Sequence, residues 1–339
     1  MLSILTHVPP GLLEVAPTEL HRVLAGPTLI HLPGQRREPV LVSVLLHGNE
    51  DTGLRAAQTV LKRHAQRQLP RALSLFIGNI AAARAGVRRL DDQPDYNRVW
   101  PGSIEPHTPE HEMMARVVGE MRGRNIFASV DIHNNSGANP HYACVSRLDP
   151  RALQLCALFS RTVVYFERPL GVQVSAFNDL CPAVTLECGK SGAPDSAEHA
   201  ADFIEGCLHL SGFPAHAPHP QDLDLYHSVA TVKVPEEVTF SFGEDSVDLQ
   251  LVPELDHMNF CELVPHTFWG RVRAGCARPL AVTDARGKNA FERYFTVSKG
   301  ELRLARTVMP AMLTLDERAV RQDCLCYLME RLVLPPLAG

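Results

Sequence analysis

The sequence predicts an α/β protein: a mixed, largely parallel sheet flanked by helices, followed by a smaller β-rich C-terminal domain. Two observations carry that reading. As far as about residue 211, apolar β-branched runs alternate with segments of helical spacing, the pattern of strands buried on both faces and joined by helical crossovers. Residues 213–220 are rich in Pro, His and Ala and read as a linker, after which the segments become short and strand-like. The expected domains are therefore 1–213 and 214–339.

Residues 40–46 (VLVSVLL) form the first clear strand, with no polar break except one serine. Residues 51–67 place Leu54, Ala57, Val60 and Leu61 on one helical face. A second strand is expected at 73–77. A helix follows at 109–122, with Thr108 as its N-cap and Pro109 at its first position. Strands at 126–132, 162–166 and 183–188 then alternate with helices at 149–160 and 196–210. In the second domain, residues 230–234, 238–242, 247–252 and 302–308 read as strands. Residues 316–332 read as a helix or as further strands. No internal repeat or low-complexity tract interrupts this order.

The formal charge of −5 is spread along the chain, which argues against a nucleic-acid or membrane surface. No apolar run is long enough for a transmembrane helix. The N-terminal apolar patch lacks a basic leader and is broken by His7, Pro9 and Pro10, so it reads poorly as a signal peptide. Nine cysteines, an odd number lying mostly inside apolar runs, suit reduced thiols in a cytoplasm. Cys324 and Cys326 are too close for a CxxC zinc knuckle.

Four short stretches carry residues suited to chemistry. The first, HGNE, places His47 and Glu50 three apart where the 40–46 strand ends. The same spacing recurs at His107 and Glu110, so the pair means little by itself, and a polar turn capping a helix is the plain alternative. Its position matters more, because ligands of parallel α/β sheets gather beyond the carboxyl ends of the strands. The second stretch, SVDIHNNSG, ends another strand in His133, with Asp131 placed to orient it. Two histidines and one carboxylate with an open fourth position are the usual form of a hydrolytic zinc site. The third, PAVTLECGKSG, puts Glu187 in an apolar strand, where a carboxylate is rare unless paired or used. Near a metal-activated water it is suited to general base and acid catalysis. Cys188 beside it is a rival nucleophile or a core thiol. The fourth, RAGVRRLDDQPDYNRVWPG, is a loop in which Arg88, Arg89, Asn97 and Arg98 are able to hold a carboxylate or polarise a carbonyl. A solvated loop paired with Asp91, Asp92 and Asp95 is the alternative.

In this order and at these separations, the four stretches resemble the succinylglutamate desuccinylase/aspartoacylase family, a branch of the zinc-carboxypeptidase-like fold. The resemblance spans roughly residues 40–200. It implies that His47, Glu50 and His133 bind one Zn2+ per chain and that Glu187 is general base, then general acid. It implies that Arg88 polarises the scissile carbonyl, and that Asn97 and Arg98 hold a substrate carboxylate. Residues 92–94 (DQP) lengthen the loop relative to the family, which leaves the choice between Arg88 and Arg89 open. The place of a further substrate arginine of the aspartoacylases falls near Phe177, with Arg168 further upstream, which argues against N-acetylaspartate itself as the substrate. The resulting expectation is a cytoplasmic zinc-dependent hydrolase, its catalytic domain at 1–213, cleaving the amide of an N-acyl amino acid or a similar small carboxylate-bearing amide. The expected partner is that small molecule, with neither nucleic acid nor membrane, and a homo-oligomer is left open. The alternatives are a zinc carboxypeptidase acting on a short peptide or cell-wall fragment, a non-catalytic binding protein on the same scaffold, and a cysteine hydrolase centred on Cys188.

Overall fold

The structure, a computed structural model, describes residues 2–193, 195–243 and 246–333. The chain divides into two compact units, one formed up to residue 134 and from 141 to 225, the other from 135–140 and 226–332.

The first unit runs β1 (Ser3–Leu5), β2 (Thr28–Leu32), β3 (Gly34–Val44), α1 (Thr52–Arg63), β4 (Leu69–Ile77), α2 (Ile80–Ala85), α3 (Pro109–Gly123), β5 (Ala128–Asn135), β6 (His141–Val145), α4 (Pro150–Phe159), β7 (Thr162–Phe166), α5 (Gln173–Phe177), β8 (Ala183–Lys190) and α6 (Ser196–His209). Its sheet has the order β1-β2-β4-β3-β5-β8-β6-β7. The central strand β3 pairs in parallel with β4 and β5. Its residues Val40, Leu41, Val42 and Val44 are all buried, which is why this part of the strand reads as an unbroken apolar run. Among the described residues β2 pairs antiparallel with β4 and β6 with β8, so the sheet is mixed.

Helices cover the sheet. α1 packs on α6, and Arg63 of α1 forms ion pairs with Glu198 and Asp202 of α6. α3 begins at Thr108 with Pro109 in its first turn, and His111 Nδ1 accepts the Thr108 backbone N–H at 3.0 Å. Its apolar face (Met114, Val117 and Met121) packs in a core with Phe76, Trp100 and Phe177. Trp100 meets both phenylalanine rings edge-on at 6.0 Å between centroids. The helix expected at 51–67 stops at Arg63: the next residue, His64, leaves helical geometry with φ −105° and ψ 9°, and its imidazole lies 2.8 Å from Glu205 of α6.

The second unit contains β9 (Asp224–Lys233), β10 (Phe240–Phe242), β11 (Leu249–Leu251), β12 (Phe268–Val272), β13 (Ala281–Asp284), α7 (Phe291–Tyr294), β14 (Phe295–Ser298), β15 (Glu301–Leu304), β16 (Met309–Ala311), α8 (Glu317–Gln322) and β17 (Cys326–Arg331). β17 lies between β9 and β16, while β10, β11, β12, β15 and β14 form a separate sheet in that order. Both pack around Trp269, Tyr294, Phe295 and Leu328. The segment 316–332 is thus both things that its sequence allowed, one short helix and then a strand. Among the described residues no helix is long and apolar enough to cross a membrane.

Candidate metal centre

β3 ends at Val44, and Leu45 then takes a left-handed φ of 55° that turns the chain across the top of the sheet. Gly48 lies against the backbone of Ala82 and Ala83 in α2, where any Cβ would collide with them. This close approach fixes the turn that presents His47 and Glu50 together before α1 begins. Asn134, at the end of β5, ties the turn down on three sides. Its backbone N–H donates to Glu50 Oε2 at 3.2 Å and its Oδ1 accepts from the Thr52 N–H at 3.2 Å. Its Nδ2 donates to the Gly189 carbonyl of β8 at 3.0 Å. The ends of β3, β5 and β8 are thereby held at one place.

His47, Glu50 and His133 are all buried and converge there. His47 Nδ1 lies 2.8 Å from Glu50 Oε1, His133 Nδ1 lies 2.7 Å from Glu50 Oε2, and the two Nδ1 atoms are 3.2 Å apart. Each imidazole has a carboxylate on its far side. His47 Nε2 is 3.0 Å from Asp95 Oδ1, and His133 Nε2 is 2.8 Å from Asp131 Oδ2. With Nε2–H donating to those carboxylates, both Nδ1 lone pairs face Glu50 and each other, an arrangement that a cation satisfies. Tetrahedral nitrogen and oxygen donors about a zinc lie about 3.3 Å apart, only slightly wider than here. The residues therefore fit a metal ion.

The surrounding charges belong to the same design. Asp95 also accepts from Arg88 Nη2 at 2.9 Å and from the Asn97 backbone N–H at 2.8 Å. Burial would raise the Asp95 carboxyl, but Arg88, His47 and Arg98 hold it well below the usual carboxylate range. Glu50 is likewise held low against its burial by His47 and His133. Burial and Arg88 push His47 down, yet Glu50 and Asp95 raise it, and His133 is raised well above its ordinary value by Asp131 and Glu50 against its own burial.

The loop residues fall into place around this cluster. Arg88 Nη1 is 3.6 Å from Glu50 Oε1. Arg89 instead donates to the carbonyls of Leu90 and Gln93, so Arg88 is the one that faces the cluster. Asn97 is buried: its Nδ2 donates to Asp131 Oδ2 at 3.2 Å and its Oδ1 accepts from the Gln173 N–H at 3.0 Å. Arg98 is half-buried and donates to the Asn97 carbonyl at 2.9 Å. Glu187 is 7% exposed on β8, the strand beside β5, and pairs in register with Tyr142 of β6. Cys188 is a core thiol pushed up by burial and by the neighbouring Glu187 and Glu50, the reverse of what a thiolate nucleophile needs. Phe177 is fully buried in the apolar core and Tyr294 in that of the second unit. Asp95 and Asn134 are the site members that the motifs did not single out.

The ends of β3 and β5 in this α/β domain thus gather two histidines and a glutamate into one candidate metal site. The sequence profile of the succinylglutamate desuccinylase/aspartoacylase catalytic domain matches residues 37–211, and the chain belongs to that family. Solved structures share its fold. The succinylglutamate desuccinylase of Chromobacterium violaceum aligns over 89% of this chain and 87% of its own, with a TM-score of 0.57 and 18% identity. Murine aminoacylase 3 aligns over 88% of this chain and 97% of its own, with a TM-score of 0.57 and 15% identity. The ectoine utilization protein EutE (DoeB) of Ruegeria pomeroyi aligns over 90% and 88%, with a TM-score of 0.55 and 17% identity. No curated protein sequence matches the chain.

Proposed function

We propose that the chain is a zinc-dependent amidohydrolase that cleaves a linear amide, that of an N-acyl amino acid or a similar small carboxylate-bearing amide. The observation that carries this reading is the meeting of His47 Nδ1, His133 Nδ1 and Glu50 within 3.2 Å, each histidine backed by its own carboxylate. Family membership and the desuccinylase and aminoacylase folds it resembles support a deacylase over other hydrolases.

His47, Glu50 and His133 would hold the ion. Zinc, when bound, supplies Lewis acidity that brings a water's pKa toward neutrality. Glu187 takes the proton of the attacking water and returns it to the departing nitrogen. Arg88, fixed by Asp95, stabilises the negative charge that develops on the carbonyl oxygen. Arg98 receives the substrate carboxylate through its planar fork, and Asn97 steadies both Arg98 and the Asp131–His133 pair. The first unit, with all of these residues, is the catalytic one.

The test is hydrolysis by the full chain of a panel of acetyl- and succinyl-amino acids alongside short peptides, with and without a chelator. Chelator-sensitive release of free amino acid from the acylated panel, with peptides left intact, is the expected result. Peptide trimming without deacylation would replace the substrate assignment by a carboxypeptidase, and chelator-resistant turnover would remove the metal from the mechanism.

A further inference from the structure

Away from this chemistry, at the other end of the same strands, lies a cavity that the proposed reaction does not use. It measures about 520 Å3 and opens where Arg37 and Pro39 of β3 meet His31 of β2, Ser74 of β4, Thr6 and Arg124. Arg37 is seven residues before the carboxyl end of β3, so the cavity and the His47 turn are separated by roughly 20 Å of strand. The volume suits a small-molecule ligand.

Its lining is rich in donors and holds no carboxylate. The Arg37 and Arg124 side chains are exposed, and among the described residues neither guanidinium has an ion pair or hydrogen bond. His31 is 6% exposed, with Nδ1 2.8 Å from the Ser74 hydroxyl, while its Nε2 is buried and meets no partner. Burial and Arg124 lower its pKa to about 4, with Glu120 opposing them only in part, so the ring is neutral at ordinary pH. With His31 neutral, the two arginines are the charged groups of the lining.

We propose that this cavity is a second ligand site, taking a small oxyanion (a carboxylate or a phosphate group) between the Arg37 and Arg124 guanidinium groups. Charge-assisted bonds from paired arginines are the strongest that such a group finds on a protein surface. The site stands independently of the metal reading.

The experiment is calorimetric titration of the full-length, metal-loaded protein with inorganic phosphate and, separately, with succinate. Wild type is compared with the Arg37→Ala/Arg124→Ala double variant, with Arg124→Gln alone, and with Arg98→Ala as the control for the catalytic pocket. Both mutated arginines are surface residues, so unliganded melting temperatures are expected to stay within a degree or two of wild type. The expected result is a saturable binding component that weakens at least about tenfold in the double variant, to a lesser degree in Arg124→Gln, and persists in Arg98→Ala, which removes only the binding of succinate in the catalytic pocket. Binding of phosphate alone assigns a phosphorylated ligand, of succinate alone a carboxylated one, and of both a general oxyanion site. Absence of any saturable component that the double variant loses and Arg98→Ala keeps overturns the proposal.

Discussion

Asp131→Asn is the most informative single substitution at the metal centre, since it keeps the shape of the side chain and removes one charge. Asp131 is fully buried, its Oδ2 accepting from His133 Nε2 at 2.8 Å and Asn97 Nδ2 at 3.2 Å, while its Oδ1 is buried without a partner. Asparagine has two ways to fit, and both weaken the site. With its NH2 toward His133 and Asn97, donors face donors, and the imidazole must move its proton to Nδ1, the atom needed for the metal. With the NH2 in the Oδ1 position, a donor is stranded in the core, at a cost of about 1–3 kcal/mol, and His133 loses the charged acceptor that makes it a stronger ligand. Loss of such a supporting carboxylate typically weakens metal affinity about 10- to 100-fold, or about 1.4–2.7 kcal/mol. A competition titration against a chromogenic zinc chelator measures the ratio directly. An affinity within about twofold of wild type would refute the claim that this carboxylate sets the His133 tautomer.

Glu187→Gln should leave zinc stoichiometry unchanged in metal analysis while lowering turnover roughly 10²- to 10⁴-fold. Arg88→Ala should lower kcat by about 10²- to 10³-fold, whereas Arg98→Ala should act mainly on KM, a split that steady-state kinetics reads. Gly48→Ala forces a Cβ into the Ala82–Ala83 backbone; it should cost about 1–3 kcal/mol and lower the zinc content with the melting temperature. The pH dependence also has a definite sign. Because His133 is raised well above 6.5 in the metal-free chain, its stabilising contribution is complete below 6.5 and is lost as pH rises through the raised value. Zinc requires the same nitrogen without its proton. Thermal melts from pH 6 upward should therefore show the metal-free protein weakening and the increment added by zinc growing.

The parts of this fold that announced themselves are those where burial is two-sided. β4, β8 and the part of β3 from Val40 onward are apolar runs because both of their faces are covered, and the expected strand at 162–166 coincides with Thr162–Phe166, of which Val163 and Val164 are buried. β2 was hidden because His31 interrupts it, and only the partner strand reveals that Ser74 answers the imidazole. β6 follows β5 after a short turn, and its antiparallel pairing with β8 has no local signal. At the site, His47 and His133 stood out as polar residues at the ends of apolar strands. Asp95 did not, because it is one of three aspartates within residues 91–95; the loop leaves Asp91 and Asp92 exposed and folds Asp95 beneath His47. Which of Arg88 and Arg89 lies beside Glu50 is likewise a matter of loop conformation: Arg88 does, while the Arg89 guanidinium closes onto the Leu90 and Gln93 carbonyls.

The most direct measurement is elemental analysis of the full chain purified without added metal, beside His133→Ala prepared in the same way. One zinc per chain in the wild type, falling to a small fraction in the variant, is the result that the convergence of His47, Glu50 and His133 requires. A wild-type chain that hydrolyses acyl-amino acids while holding no metal, or a His133→Ala protein that keeps its full complement, would contradict it.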